Sequence, residues 1–140
     1  MSPGTTSGDT KSKVKEKELE KLVLVWGRVN KVDLTVVDSR AVFSPKTGRF
    51  TGRTTSEVVT DLIGNYKDLS VWIELKAPGR KSGLTKKQAD FLIRKINQGC
   101  FAVCIDSVGE LHDVFEKFIK TRNKKLLFAT LPKKYVSEFL

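Results

Sequence analysis

Apolar residues recur along this chain in two periods, and the change between the periods divides it into predicted helices and strands. Residues 14–28 show the helical period, because Leu19, Leu22, Val23 and Trp26 fall on one stripe. Residues further along show the strand signals, which are alternation of apolar and polar positions or short continuous apolar runs. The chain is therefore expected to mix both kinds of element.

The remaining elements follow from the same patterns. Strands are predicted over 32–37, 40–43, near 57–62, 70–76, 100–105 and 125–129, and helices over 85–98 and 108–120, with Pro132 opening a short last helix. The segment 40–43 either pairs with 32–37 or continues it, and Gly64–Asp68 is predicted to be a turn. The core order α-β-β-β-α-β predicts an α/β fold, a mixed sheet flanked by helices.

The 140 residues are the usual size of one domain. Residues 1–13 are rich in Ser, Thr and Gly without any period, so we expect a flexible tail followed by a single domain over 14–140. Residues 44–55 form a predicted basic loop or short hairpin. Its cations Lys46, Arg49 and Arg53 could contact DNA or a partner subunit.

Composition excludes several classes of protein. Hydrophobic residues make up 39% of the chain and no apolar run has the length of a bilayer span, so a membrane protein is not expected. The N-terminus does not resemble a signal peptide, and we expect an intracellular protein. Cys100 and Cys104 lie four apart on one predicted strand, too far to bridge, and are expected to be core thiols. His112 is the one histidine, and no nucleophile motif accompanies it.

The charge of the chain indicates a polyanionic partner. Lys and Arg exceed Asp and Glu by 26 to 16, which gives a net charge of +10. From Lys76 to Gly99, seven basic residues stand against one acidic residue, and from Lys117 to Lys134 seven stand against none. Solubility alone could explain the net charge, but its concentration in these two segments favours a nucleic-acid partner.

The chemical signal of the sequence is a carboxylate followed by a Glu-x-Lys pattern. Asp61 closes the predicted strand near 57–62, and Glu74 and Lys76 project from one face of the next strand while Leu75 faces the core. Two carboxylates and a lysine on one surface could hold a divalent metal and orient a water for phosphodiester cleavage. The alternative is a surface ion pair on an edge strand.

The residues around this pattern add to it. The glycine-rich basic loop 77–83 follows Lys76, and Thr85 is the predicted N-cap of a helix that carries Gln88 in its first turn. This order, over residues 16–107, resembles the VRR-NUC group of the PD-(D/E)XK nuclease superfamily, and most closely its small stand-alone members from phages and mobile elements. The resemblance implies a restriction-endonuclease-like core. Thr60 stands where the superfamily name records a Pro.

The resemblance implies a role for each matching residue. Asp61 and Glu74 would bind Mg²⁺ or Mn²⁺, with the main-chain oxygen of Leu75 as a further ligand. Lys76 would position or activate the attacking water, and Gln88 matches the Gln at the start of the family's next helix.

The first helix of the family contributes a glutamate to the site. Glu16 and Glu20 lie one turn apart on the same face of the predicted helix, and Glu16 is favoured over Glu20. A solvated glutamate in a Lys/Glu-rich helix start is the alternative for either residue.

The expected activity is that of a metal-dependent DNA endonuclease. Arg80, Lys81, Lys86, Lys87 and Gln88 would contact the DNA next to the cut. The resemblance also implies a homodimer that cuts branched DNA such as four-way junctions. A nicking or restriction-type nuclease acting on linear duplex, and a non-catalytic DNA-binding protein on the same fold, are the alternatives.

Overall fold

The computed structural model describes residues 4–37, 42–44, 49–51 and 59–140, with side chains described over 11–37 and 59–140. The strands are β1 (Asp33–Val36), β2 (Val42–Ser44), β3 (Arg49–Thr51), β4 (Leu62–Tyr66), β5 (Leu69–Leu75) and β6 (Phe101–Ile105). The helices are α1 (Gly4–Asn30), α2 (Lys86–Asn97), α3 (Val108–Thr121), α4 (Lys124–Phe128) and α5 (Lys133–Val136). Two 3₁₀ turns span Lys81–Gly83 and Ser137–Phe139.

The main sheet has four strands in the order β1-β4-β5-β6. The β1–β4 and β4–β5 pairs are antiparallel, and the β5–β6 pair is parallel. A parallel pair needs a crossover connection, which α2 supplies. The prediction of a mixed α/β fold with helices flanking a mixed sheet is therefore confirmed. β2 and β3 form a separate two-stranded antiparallel sheet.

Edge-on aromatic contacts fix the helices on this sheet. Phe115 of α3 lies 5.0 Å from Trp26 of α1 and 5.4 Å from Phe101 of β6, measured between ring centroids. On α2, Phe91 lies 5.4 Å from Trp72 of β5. Because the rings of such pairs are large and rigid, these contacts hold α1, α2 and α3 in defined positions relative to the sheet.

Side-chain caps mark the start of three helices. The Thr85 hydroxyl accepts a hydrogen bond from the backbone N–H of Gln88, and Ser107 does the same for Glu110 at the start of α3. Asn123 caps α4 by accepting from Lys125. Each cap satisfies a donor that the first helical turn leaves unpaired, so these helices begin where the sequence supplies a short polar side chain.

Gly64 allows two strands to approach closely. A Cβ atom at this position would lie 1.7 Å from the main-chain oxygen of Asp33 on β1. Any side chain would therefore push β1 away from β4. The glycine was predicted to begin a turn, but it lies within β4 and the turn is formed by Lys67 and Asp68.

The strand predicted near 57–62 is displaced toward the C-terminus. β4 spans Leu62–Tyr66, because Leu62 pairs with Val36 on one side and with Ile73 on the other. Asp61 consequently stands just before this strand instead of at its end. Cross-strand partners set the register here, and these partners are distant in sequence.

Three further expectations differ from the structure. Residues 125–129 were expected to form a strand, but α4 covers Lys124–Phe128, because a short apolar run fits either element and the Asn123 cap selects the helix. α1 begins at Gly4, although the helix was expected from Val14; helix propagation needs only one further hydrogen bond per residue. Finally, β2 pairs with β3, and not with β1.

Residues 38–41, 45–48 and 52–58 lie outside the described part of the chain, and so do the predictions for Lys46 and Arg53. Among the described helices, none is both long enough and apolar enough to cross a membrane.

Candidate active site

The strand register brings the two motif carboxylates together. Leu62 pairs with Ile73 in the antiparallel β4–β5 ladder, and one further step of this register places Asp61 opposite Glu74. Oδ2 of Asp61 accepts a hydrogen bond of 2.8 Å from the backbone N–H of Leu75. Two residues that are distant in the sequence therefore form one side-chain pair.

Glu74 is buried, with 5% of its surface exposed. Burial raises the pKa of its carboxyl group to about 9, and the charge of Asp61 and a hydrogen bond with it add to this rise in pKa, while Lys76 opposes the shift. The Nζ atom of Lys76 lies 3.8 Å from Oε2 of Glu74. One lysine does not balance the negative charge of this pair, so the site favours the binding of a proton or a cation.

Gln88 connects the start of α2 to the carboxylates. Its Oε1 accepts from the backbone N–H of Thr85 at 3.0 Å, which completes a capping box. Its Nε2 donates to Oε2 of Glu74 at 3.2 Å. The predicted family glutamine thus contacts a catalytic candidate directly, and both ends of its amide are used.

Glu16 reaches the same site from α1. Burial raises the pKa of its carboxyl group; Lys76 lowers this pKa and Asp61 raises it. These effects place Glu16 within electrostatic range of two motif residues. Glu20, the other candidate on this helix face, forms an ion pair with Lys17 at 4.0 Å.

The main-chain oxygen of Leu75 points toward Asp61. The N–H of Leu75 is bonded to the Asp61 carboxylate, and the N–H and C=O of one residue project to the same side of a strand. Asp61, Glu74 and the Leu75 carbonyl therefore lie together at the C-terminal end of β5, a central strand of the sheet.

Oxygen ligands of this type suit a hard divalent cation such as Mg²⁺ or Mn²⁺. Within 11–37 and 59–140, no group of three or more His, Cys, Asp or Glu side chains is close enough to hold a metal ion. A bound cation would therefore take two carboxylates, the Leu75 carbonyl and water as ligands, with Glu16 acting through water. The raised pKa of Glu74 supports this fit, because its ionised form is unfavourable at this buried position unless a cation is bound beside it.

The basic loop after Lys76 is tied to the protein. Lys81 donates to the Glu110 carboxylate and, at 2.8 Å, to the main-chain oxygen of Thr130. The N–H of Gly79 donates to Asp106 at 3.0 Å. Lys81, predicted to contact DNA, is thus used to anchor the loop.

The other cations predicted to contact DNA differ in whether they form an ion pair. Lys86 is exposed but pairs with Asp90 at 2.9 Å. Arg80 and Lys87 are exposed. No local pattern pointed to the loop anchors Asp106, Glu110 and Thr130, since their role depends on partners that lie far away along the chain.

Comparison with known proteins adds no further assignment. No family model, curated protein or solved structure matches this chain. The resemblance to VRR-NUC nucleases therefore depends on the motif residues, and the functional argument depends on their geometry.

Proposed function

We propose that this protein is a metal-dependent DNA endonuclease of the VRR-NUC type, with a restriction-endonuclease-like core. The observation that carries the proposal is the cluster of Asp61, a buried Glu74 and Lys76 at the end of β5. Burying a carboxylate beside a second one is unfavourable unless a proton or cation compensates the charge. Such an arrangement is more common at functional sites than in structural ones.

Each residue has a distinct role in this proposal. Asp61, Glu74 and the Leu75 carbonyl hold Mg²⁺ or Mn²⁺, and Gln88 orients the Glu74 carboxylate by donating to Oε2. A cation held there would lower the pKa of a water and would screen the phosphate charge. Lys76 orients the attacking water and offsets charge on the phosphate, while Glu16 takes part through a water.

The proposed substrate is branched DNA, with four-way junctions ranked first and a homodimer as the acting form. This ranking comes from the resemblance to stand-alone VRR-NUC proteins. A two-fold dimer presents two sites in symmetric positions, as paired cuts across a junction require. A nuclease that nicks or cuts linear duplex uses the same cluster and is the alternative within enzymes.

A non-catalytic DNA-binding protein is the alternative from another class. Such a protein gains affinity from cations, and a buried carboxylate with a raised pKa contributes nothing to phosphate binding. The geometry of Glu74 therefore favours an enzyme.

The experiment that tests the proposal is a cleavage assay on labelled four-way junction, flap, linear duplex and single-stranded DNA. Each substrate is incubated with Mg²⁺, with Mn²⁺ and with EDTA. We expect cleavage with either metal, none in EDTA, and the highest rate on the junction. A higher rate on linear duplex would select the alternative enzyme, and binding without cleavage of any substrate would select the non-catalytic alternative.

A further inference from the structure

Three turns of this protein contain a cationic residue in the left-handed backbone conformation. Among the described residues, those with positive φ other than glycine are Lys31 at 61°, Lys67 at 55° and Arg122 at 57°. Glycine adopts this conformation without strain, as Gly79 does at 76°. Asn and Asp tolerate it better than other side chains do, and a long side chain is unfavourable there. All three strained positions nevertheless carry a positive charge.

Two of these turns are neighbours in the sheet. Asp33 of β1 pairs with Asn65 of β4 in an antiparallel register. Lys31 lies two residues before Asp33, and Lys67 lies two residues after Asn65. The two lysines therefore stand at the same level, just beyond the paired ends of adjacent strands.

The third turn lies at the same end of the sheet, because Arg122 follows Phe118 by one helical turn and Phe118 contacts Phe101, the first residue of β6, which pairs with Val71 near the start of β5. Aromatic rings fill the space between these turns. The Nζ atom of Lys67 lies 5.3 Å from the centre of the Tyr66 ring, and this ring contacts Phe115 at 5.1 Å. Phe115 contacts Phe101, which in turn contacts Phe118 at 5.7 Å. The guanidinium of Arg122 lies 5.7 Å from the centre of the Phe118 ring.

We call Lys31, Lys67 and Arg122 the turn surface. All three are exposed, and none forms an ion pair with a carboxylate of the described residues. Exposed Asp33 and Asp68 are the nearest acids along the chain to Lys31 and Lys67, and exposed Glu116 is the nearest to Arg122. The cations on the helices that lead into and out of these turns add to the positive charge: Arg28, Lys120 and Lys124.

Two structural explanations do not account for this pattern. A cation near a helix C-terminus interacts favourably with the helix dipole, but a cation one turn earlier would do so without backbone strain. Solubility needs charge anywhere on the surface. Neither explanation selects Lys or Arg at three left-handed positions on one end of one sheet.

We infer that the turn surface binds the phosphate backbone of a double-stranded nucleic acid, at a site separate from the carboxylates. This inference rests on the proposed function in one respect: the turn surface and the carboxylate site would bind the same DNA. β5 has seven residues and separates the two ends by roughly 20 Å. A duplex that crosses this distance spans about six base pairs, at ~3.4 Å for each. The turn surface would therefore hold DNA away from the phosphate that is cut.

The test replaces all three residues by glycine, as Lys31→Gly, Lys67→Gly and Arg122→Gly together. Glycine removes the charge and relieves the backbone strain, so thermal stability should stay unchanged or increase. Binding of a 24-base-pair duplex is measured in EDTA by fluorescence anisotropy over a series of salt concentrations. We expect affinity to fall roughly tenfold to a hundredfold at ~0.1 M salt, and the salt slope to decrease by about 0.9 per lost contact.

Two matched variants control for charge and position. The first, Lys31→Arg with Lys67→Arg and Arg122→Lys, keeps every charge in place and should keep the affinity within about threefold. The second removes three charges elsewhere, as Lys117→Gln, Lys133→Gln and Lys134→Gln. It should change the affinity much less than the glycine variant does.

The outcomes separate this inference from the proposed function. Unchanged affinity and salt slope in the glycine variant, or equal losses in the second control, would overturn the inference even if the protein cleaves DNA. Binding that depends on the turn surface in a protein without cleavage activity would support the inference and oppose the nuclease proposal. Binding to vesicles containing phosphatidylserine, with none to duplex DNA, would identify a membrane surface and overturn the inference.

Discussion

The two ends of the main sheet carry different ionisable groups and hold them by different means. At the carboxylate end, Asp61 and Glu74 are surrounded by partners: a backbone N–H, the Gln88 amide and Lys76. At the other end, the turn surface carries cations on strained backbone without described carboxylate partners. A charge that must act on a reacting group needs a fixed position, whereas a charge that attracts a polyanion needs to remain accessible.

The cations next to the carboxylates strengthen this contrast. Lys81 and Lys86 were expected to contact DNA, yet Lys81 is bonded to Glu110 and Thr130, and Lys86 pairs with Asp90. Lys81 thus stabilises the loop and Lys86 is paired within α2, whereas the cations at the far end form no ion pair with a carboxylate of the described residues. Position near the motif therefore does not by itself decide which cations are available for a phosphate, since Arg80 and Lys87 are exposed while Lys81 is bonded.

The largest expected effect comes from removing one of the two carboxylates, Asp61 or Glu74. Glu74→Ala should abolish cleavage, because it removes a proposed metal ligand, and DNA binding in EDTA should persist, because a carboxyl group with a pKa of about 9 is uncharged at neutral pH. Asp61→Ala should behave in the same way. The measurement is a cleavage rate with Mg²⁺ beside a binding curve in EDTA.

Asp113→Ala is the matched control, since this carboxylate is exposed on α3 and pairs with Lys117. It should cleave at the normal rate. If Glu74→Ala still cleaves, or the unmodified protein cleaves in EDTA, then the active-site assignment is wrong.

The second prediction concerns Lys76, the cation that belongs to the carboxylate end. Lys76→Ala should reduce the cleavage rate on the order of a hundredfold, which is typical for the loss of one preorganised electrostatic contact. Lys76→Arg should not restore the rate, because guanidinium differs from ammonium in shape and hydration. The rates are measured under single-turnover conditions. If the rate of Lys76→Ala stays near normal, then Lys76 is only a phosphate contact.

The third prediction uses the raised pKa of Glu74. The pKa of its carboxyl group is about 9 in the folded protein against an ordinary 4.5, so the folded state holds the proton more tightly than the unfolded state does. The contribution of this residue to stability is full below pH ~4.5 and is lost as the pH rises toward 9. Urea unfolding in EDTA at several pH values should show this decline.

Glu74→Gln should flatten the decline, because glutamine does not titrate. Saturating Mg²⁺ should also reduce it in the unmodified protein, since a bound cation stabilises the ionised carboxylate. An identical pH dependence in the unmodified protein and in Glu74→Gln would show that the carboxyl group is not perturbed.

The smallest expected effect is a difference in stability between variants of Lys81, which anchors the basic loop, and of Lys86, which lies on the surface. Lys81→Ala should lower the free energy of unfolding by about 1–3 kcal/mol, because it removes the donor to the Thr130 oxygen and to Oε2 of Glu110, whose Oε1 still accepts from the N–H of Asp106. Lys86→Ala should cause no measurable change, since its pair is exposed to solvent. Equal effects in urea unfolding would remove the distinction between the two lysines.

Local patterns in the sequence predicted much of the architecture. The helical period and the Thr85 cap predicted α2, and continuous apolar residues predicted β5 and β6. These features depend on neighbouring residues, so the sequence contains the necessary information. Short apolar segments were less informative, and 125–129 was assigned to the wrong element for this reason.

The candidate site was also predictable in part. The period of two placed Glu74 and Lys76 on one face of a strand, and the ion pair between them agrees with this. Contacts between distant segments were not predictable in the same way. The second hydrogen bond of Gln88, from Nε2 to Glu74, requires the start of α2 to lie over β5, and sequence spacing does not fix that position.

The sequence by itself determined which residues are candidates for the proposed chemistry, where α2 and α3 begin and end to within about a residue, and that the chain carries excess positive charge. Only the tertiary structure decided that Asp61 stands before β4 opposite Glu74, that Lys81 anchors a loop, and that three cationic turns lie at one end of the sheet. The physical reason is that periodicity and capping act over a few residues, whereas strand register, burial and the availability of a charge depend on partners far along the chain.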